Sequence, residues 1–140
     1  MQGAGRLRGR VGVLTRADTE AGQDIARALA AEGMSLMIIA RPGTHVRGLA
    51  ESLEQAHAIR CFPAAADVAD RDAVDRLVMH AEQHVGPIDV LVNLVPGCMS
   101  EALRPTMDQR GHGIILDSDD VTIDAAQVVE RCVQALNPAK

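Results

Sequence analysis

One hundred and forty residues, 47% of them hydrophobic, are enough for one domain with a real core and too few to expect two. A net charge of -5, with 13 arginines scattered along the chain, gives no basic footprint for nucleic acid or for an anionic membrane surface. Tyr and Trp are absent, the only Phe is Phe62 and the only Lys is Lys140, so a tyrosine acid or an internal lysine is excluded by inventory.

The first ten residues, MQGAGRLRGR, are basic but lead into only a five-residue apolar run, which predicts neither a signal peptide nor a membrane span and a cytoplasmic location. Val11 to Thr15 is that run, a short strand. From Thr19 the spacing of Ala21, Ile25, Ala28 and Leu29 puts small and branched side chains on one helical face, with Asp18 or Thr19 as cap and Gly33 as the stop. Leu36 to Ile39 is a continuous apolar run of the kind found in a strand covered on both faces. Pro42 and Gly43 punctuate, Thr44 is placed to cap, and Val46, Leu49, Ala50 and Leu53 repeat at helical spacing.

Ala58 to Pro63 reads as a third strand. Asp70 begins a helix carrying Ala73, Val74, Leu77, Val78 and Ala81, which Gly86 and Pro87 stop before a fourth strand, Ile88 to Asn93. Ser100 to Met107 is about two helical turns, Gly111 to Gly113 a turn, and Ile114 to Leu116 the heart of a fifth strand. A last helix, with Ile123, Ala126, Val129, Val133 and Leu136 facing inward, ends at Asn137 and Pro138. Strict alternation of strand and helix predicts a single α/β domain over residues 1–140: a Rossmann-like, doubly wound three-layer sandwich around a mostly parallel sheet of about five strands.

The stretch VGVLTRADTEAG, Val11 to Gly22, has the strand, turn and helix of a dinucleotide-binding loop. Together with three later stretches of the chain, it resembles the short-chain dehydrogenase/reductase family, whose first turn reads TGxxxGxG. ADVAD at Ala66 to Asp70 resembles that family's aspartate-valine pair, IDVLVN the lead-in to its NNAG motif, and LRPTMDQRGHGIILDSDD the end of its central helix and the next strand. In the first turn Thr15 and Gly22 match, whereas Arg16 and Glu20 replace two glycines. Asn93 matches the start of NNAG and is succeeded by Leu94, Val95 and Pro96. The family's serine position falls at Asp119, beside Ser118, its YxxxK pair has no counterpart, and only a stub of its central helix is expected. The resemblance is to a shortened and degenerate member.

It implies cofactor contacts at Thr15, Arg16, Gly22, Arg41, Asp67, Val68 and Asn93, and assigns no catalytic residue and no metal ligand. A side chain at either lost glycine obstructs approach to a pyrophosphate, and the Glu20 carboxylate takes the helix N-terminus that phosphate uses. Arg16 either grips a phosphate or pairs with Asp18 or Glu20 on the surface. For Arg41 the resemblance implies the 2′-phosphate of NADP, and the plain alternative is an exposed arginine at a strand end. Asp67 either accepts from an adenine amino group or serves as a turn residue, and Asn93 either supports cofactor or links strands.

Weaker candidates complete the set. His80 and His84, at i and i+4, are a metal pair or a solvated face; Asp117, Asp119 and Asp120 with Ser118 are cation ligands or a strand-end loop; Cys98 is a turn thiol. Three cysteines, Cys61, Cys98 and Cys132, have no metal-like spacing and suit reduced thiols. The expected function is a non-catalytic or incomplete family member, a scaffold, regulatory or nucleotide-sensing subunit with no cofactor or weak NADP(H). The alternative is an NAD(P)-dependent oxidoreductase completed by a partner chain. A homo-oligomer, or a hetero-oligomer with a complete family member, is expected because the stub helix leaves sheet face and strand edge uncovered, with no nucleic-acid or membrane partner.

Overall fold

A computed structural model describes residues 5–44, 46–94, 99–110, 113–117 and 125–136. The chain alternates β1 (Val11–Leu14), α1 (Glu20–Ala31), β2 (Ser35–Ala40), α2 (Arg47–His57), β3 (Cys61–Ala65), α3 (Arg71–His84), β4 (Val90–Asn93), α4 (Met99–Arg110), β5 (Ile114–Asp117) and α5 (Ala125–Leu136). The five strands pair in parallel in the order β3-β2-β1-β4-β5. This is the expected Rossmann-like doubly wound sandwich, with the strand order reversing beside β1.

Side-chain alternation along the strands builds two cores. Leu14, Leu36, Ile38, Val90, Val92 and Leu116 point to one face and are covered by α1, α2 and α5. Val13, Met37, Ile39 and Leu91 point to the other and are covered by α3 and α4. The continuous apolar run in β2 is explained by this double coverage, since Leu36 to Ala40 are all buried.

Helix ends obey local chemistry, with several shifts from the predicted boundaries. Thr19, not Asp18, caps α1: its Oγ1 accepts from Gly22 N at 3.1 Å. Asp70 caps α3 by accepting from Asp72 N at 3.0 Å. Thr44 does not cap α2, because its hydroxyl donates instead to Arg41 O at 2.6 Å, and α2 opens after Val46 with no side-chain cap. Ala58 takes a left-handed conformation, φ 55°, that ends α2, so β3 begins at Cys61 rather than Ala58 and runs on to Ala65. Pro63, which has no N–H to donate, is tolerated there because β3 is an edge strand. Likewise β4 starts at Val90, two residues later than expected.

The largest correction concerns α4. It is a twelve-residue helix with Pro105 inside it, not a two-turn stub. Met99, Leu103 and Met107 repeat every four residues and are all buried against the sheet, while Pro105 sits on the exposed side. Burying three large side chains, at roughly 1.5 to 3 kcal/mol each, outweighs the roughly 3 kcal/mol that an interior proline costs. In α5 the buried stripe is Val128, Val129, Cys132 and Leu136; Ala126 is exposed, and Ile123 lies outside the described residues. No described helix is long and apolar enough to cross a membrane.

Candidate functional site

The carboxyl ends of β1, β2 and β3 form one crest, and the loops leaving them enclose a cavity of about 240 Å³. Thr15, Arg16, Ile39, Ala40, Arg41 and Pro42 line its first side, and Ala66, Asp67, Val68 and Ala69 the other. Five of the seven expected cofactor positions therefore meet at one place; Gly22 and Asn93 are not among the residues that line it. The volume falls below the roughly 300 Å³ at which pockets for whole small molecules begin.

Gly22 is retained for a backbone reason. A Cβ at that position would collide with the carbonyl oxygen of Arg16 and come within 2.9 Å of Ala17 Cα, because the first turn of α1 lies directly against the β1–α1 loop. The two replaced glycines behave differently. Arg16 adopts φ 56°, the left-handed geometry a glycine would take without strain, at a cost of roughly 1–2 kcal/mol. Its carbonyl accepts from Thr19 N at 3.1 Å and from Thr19 Oγ1 at 2.8 Å, so the tight turn persists with an arginine in it. Glu20 is exposed in the first turn of α1, where its charge favours the helix dipole by roughly 0.3–1 kcal/mol.

The expected pairing of Arg16 with Asp18 or Glu20 is not what forms. Asp18 is taken by Arg41, whose Nε and Nη2 each lie 2.8 Å from Asp18 Oδ2. The Asp18 side chain is only 6% exposed and that of Arg41 is 60% exposed. Among the described residues, Arg16 Nε and Asp18 Oδ1 are buried polar atoms at the crest with no hydrogen-bond partner. Arg41 is thus an exposed arginine at the end of β2 that is paired through one edge of its guanidinium. In the sequence Asp18 reads only as a cap or as a partner for Arg16; its three-residue offset from Thr15 carries no sign that it reaches the end of β2.

Asp67 is exposed and its Oδ1 accepts from Ala69 N at 2.9 Å, the turn role, while its position in the cavity wall keeps it beside any occupant. Val68 is half-buried and packs against the α3 and α4 core. Thr15 and Asn93 are buried and link β1 to β4: Thr15 Oγ1 donates to Asn93 Oδ1 at 3.2 Å and accepts from Leu94 N at 2.7 Å. That is the strand-linking role.

Of the weaker candidates, His80 and His84 stack on Phe62, with the His84 and Phe62 ring centroids 5.0 Å apart, and form an exposed ring ladder. Among the described residues no group of three or more His, Cys, Asp or Glu is arranged to hold a metal. Cys98, Ser118, Asp119, Asp120 and the Asp117 side chain lie outside what is described. Cys61 and Cys132 are free and buried. Burial pushes the Cys61 thiol up to about 12, helped by the negative charge of Glu54, and pushes Cys132 up to about 11 against a small opposing pull from Arg131. Neither is a nucleophile at neutral pH.

Comparison with known proteins gives the same picture. The family model for short chain dehydrogenase matches residues 11–110. A short chain dehydrogenase of Pseudocercospora fijiensis is 30% identical over 90 residues, which is 64% of this chain and 29% of that protein. The 2,3-dihydro-2,3-dihydroxybenzoate dehydrogenase of Bacillus subtilis is 33% identical over 90 residues, 63% of this chain and 33% of that one. Among solved structures, L-sorbose reductase from Gluconobacter frateurii, complexed with NADPH and L-sorbose, superposes with a TM-score of 0.71 at 25% identity, covering 84% of this chain and 54% of its own. The matched stretch is thus about a third or less of these curated relatives. The chain belongs to the short-chain dehydrogenase family.

Proposed function

Starting from that membership, we propose that this chain is a catalytically incomplete short-chain dehydrogenase that binds the adenosine end of a nicotinamide dinucleotide and serves as a nucleotide-sensing, regulatory or scaffolding subunit. One observation carries the reading. The crest cavity between β1, β2 and β3 brings Thr15, Arg16, Arg41, Asp67 and Val68 together, while the chain has no tyrosine and no lysine before Lys140. A carbonyl that accepts hydride needs a proton on its oxygen, and none of the family's donors for that step is in this chain. Arg16 and Glu20 sit where close backbone approach to a pyrophosphate is needed, which supports weak rather than tight binding.

A second reading is an NAD(P)-dependent oxidoreductase completed by a partner chain. It is favoured by the extent of the match, since this chain covers only 54% of the L-sorbose reductase structure, and by β5, an edge strand in this sheet. A homo-oligomer, or a hetero-oligomer with a complete family member, is part of that reading.

Nicotinamide fluorescence anisotropy of NADH and NADPH tests the first reading directly, and the absence of Tyr and Trp leaves the protein nearly dark. Saturable binding, competed by 5′-AMP and weakened at least fivefold by Asp67→Ala, is the expected result. No saturation at millimolar cofactor overturns nucleotide sensing. Dehydrogenase turnover by the purified chain alone overturns catalytic incompleteness.

A further inference from the structure

We infer that Asp18 is a selector against a 2′-phosphate at the crest cavity, an inference that rests on the nucleotide-binding reading. Arg41 leaves β2 at the cavity rim, where a cation attracts a phosphorylated ribose. Here both its Nε and its Nη2 meet the same Asp18 oxygen at 2.8 Å. The carboxylate occupies the Nε/Nη2 edge of the guanidinium, one of the two edges through which an arginine clasps a phosphate, and its charge offsets that of Arg41.

That contact is hard to exchange. The Asp18 side chain is almost fully shielded from solvent, and Arg41 is its only side-chain partner among the described residues. Its other oxygen, Oδ1, is buried and has no hydrogen bond from the described residues. Turning the Nε/Nη2 edge of Arg41 to a phosphate strands a desolvated carboxylate with neither oxygen paired, and keeping it on Asp18 leaves the phosphate beside a second anion. The Asp18 backbone is held as well, because its neighbour Ala17 donates to Ile39 O at 2.9 Å and Thr19 caps α1. The backbone that carries the carboxylate is thus anchored on both sides.

Charge adds to this. Arg16 and Arg41 are the two cations of the cavity wall, and Asp67 in the wall together with Asp18 behind it cancels both. A dianionic group arriving at Arg41 meets two carboxylates as well as two cations. An adenosine whose ribose hydroxyls are free meets no penalty.

The test is calorimetric titration of the whole chain with 5′-AMP and with 2′,5′-ADP, for the wild type, Asp18→Asn, Arg41→Ala and the double variant. The wild type is expected to bind 5′-AMP at least as tightly as 2′,5′-ADP. Asp18→Asn is expected to raise affinity for 2′,5′-ADP at least tenfold with little change for 5′-AMP, and the double variant to lose that gain. An unchanged ratio in Asp18→Asn, or a gain that survives Arg41→Ala, overturns the selector. If Asp18→Asn fails to fold, the wild type still decides: a tenfold preference for 2′,5′-ADP overturns the selector, and a preference for 5′-AMP supports it. Binding of neither nucleotide to any folded variant overturns the nucleotide reading, and the selector with it.

Discussion

The two ends of the sheet are built from similar residues and finished differently. At the base, where strands begin, charged groups are matched. Glu32 receives Arg6 through its backbone N, Nε and Nη2, and buried Asp89 accepts from Val11 N at 2.9 Å with Arg10 3.9 Å away. Arg10 also donates to Leu136 O, tying the last turn of α5 to the first strand. At the crest, Arg16 Nε and Asp18 Oδ1 are buried and unmatched, and Arg16 holds a left-handed backbone. The base is a set of completed bonds that stabilises the fold; the crest carries strain and unmet hydrogen-bonding capacity, the condition of a surface shaped for a ligand.

The contrast breaks most visibly at Asp89. Asp89→Ala removes the acceptor of a buried backbone N–H and the countercharge of Arg10, and is expected to cost about 3 kcal/mol in urea unfolding. A loss below about 1 kcal/mol would mean that the base is not the stabilising end. The buried thiols sharpen the same point through pH. Cys61 opens β3 and Cys132 lies on the buried face of α5, with burial pushing the thiols up to about 12 and about 11, above the roughly 8.5 of a free thiol. Groups raised on folding keep their full contribution below the unfolded value and lose it as pH rises towards the folded one. Stability is therefore expected to be level up to about pH 8.5 and to fall by about 1.4 kcal/mol per thiol at about pH 9.5. With no tyrosine and a single lysine, few other groups titrate in that window, and a flat profile from about pH 8 to 9.5 would contradict the burial of both thiols. The smallest effect belongs to the crest and has the opposite sign. Arg16→Gly relieves the left-handed strain and is expected to stabilise by about 1 kcal/mol in thermal unfolding; destabilisation would show that the Arg16 side chain holds the crest together.

How much of this is legible in the sequence differs between the same two ends. The strand and helix alternation, the double coverage of β2 and the return of Gly22 are readable, because periodicity of apolar residues and the spacing of stops are local. The gathering of Thr15, Arg16, Arg41, Asp67 and Val68 is implied by family resemblance and is what the cavity shows. The Asp18–Arg41 pair is not readable, since 23 residues and a whole helix separate the partners and nothing local marks a long-range ion pair. Asp89 escapes for the same reason: in IDVLVN it reads as one more residue of the fourth strand, and only its 78-residue return to Val11 shows its structural role. The length of α4 is hidden by Pro105, a reliable breaker in isolation that three buried side chains override.

The pairing of β1 with β4 has a consequence in time. Gly12 pairs with Leu36 and with Val90, so the strand at the centre of the finished sheet gains its second neighbour long after its first. At roughly 5–20 residues per second on the ribosome, β1 and β2 are complete with one side of β1 open for roughly 3–11 seconds before β4 is made. For that interval Val11 and Val13 lie in an unsealed ladder, the same template that recruits neighbouring chains. The nascent chain thus carries an open central strand until β4 is added, the interval in which edge-to-edge misassembly has its template.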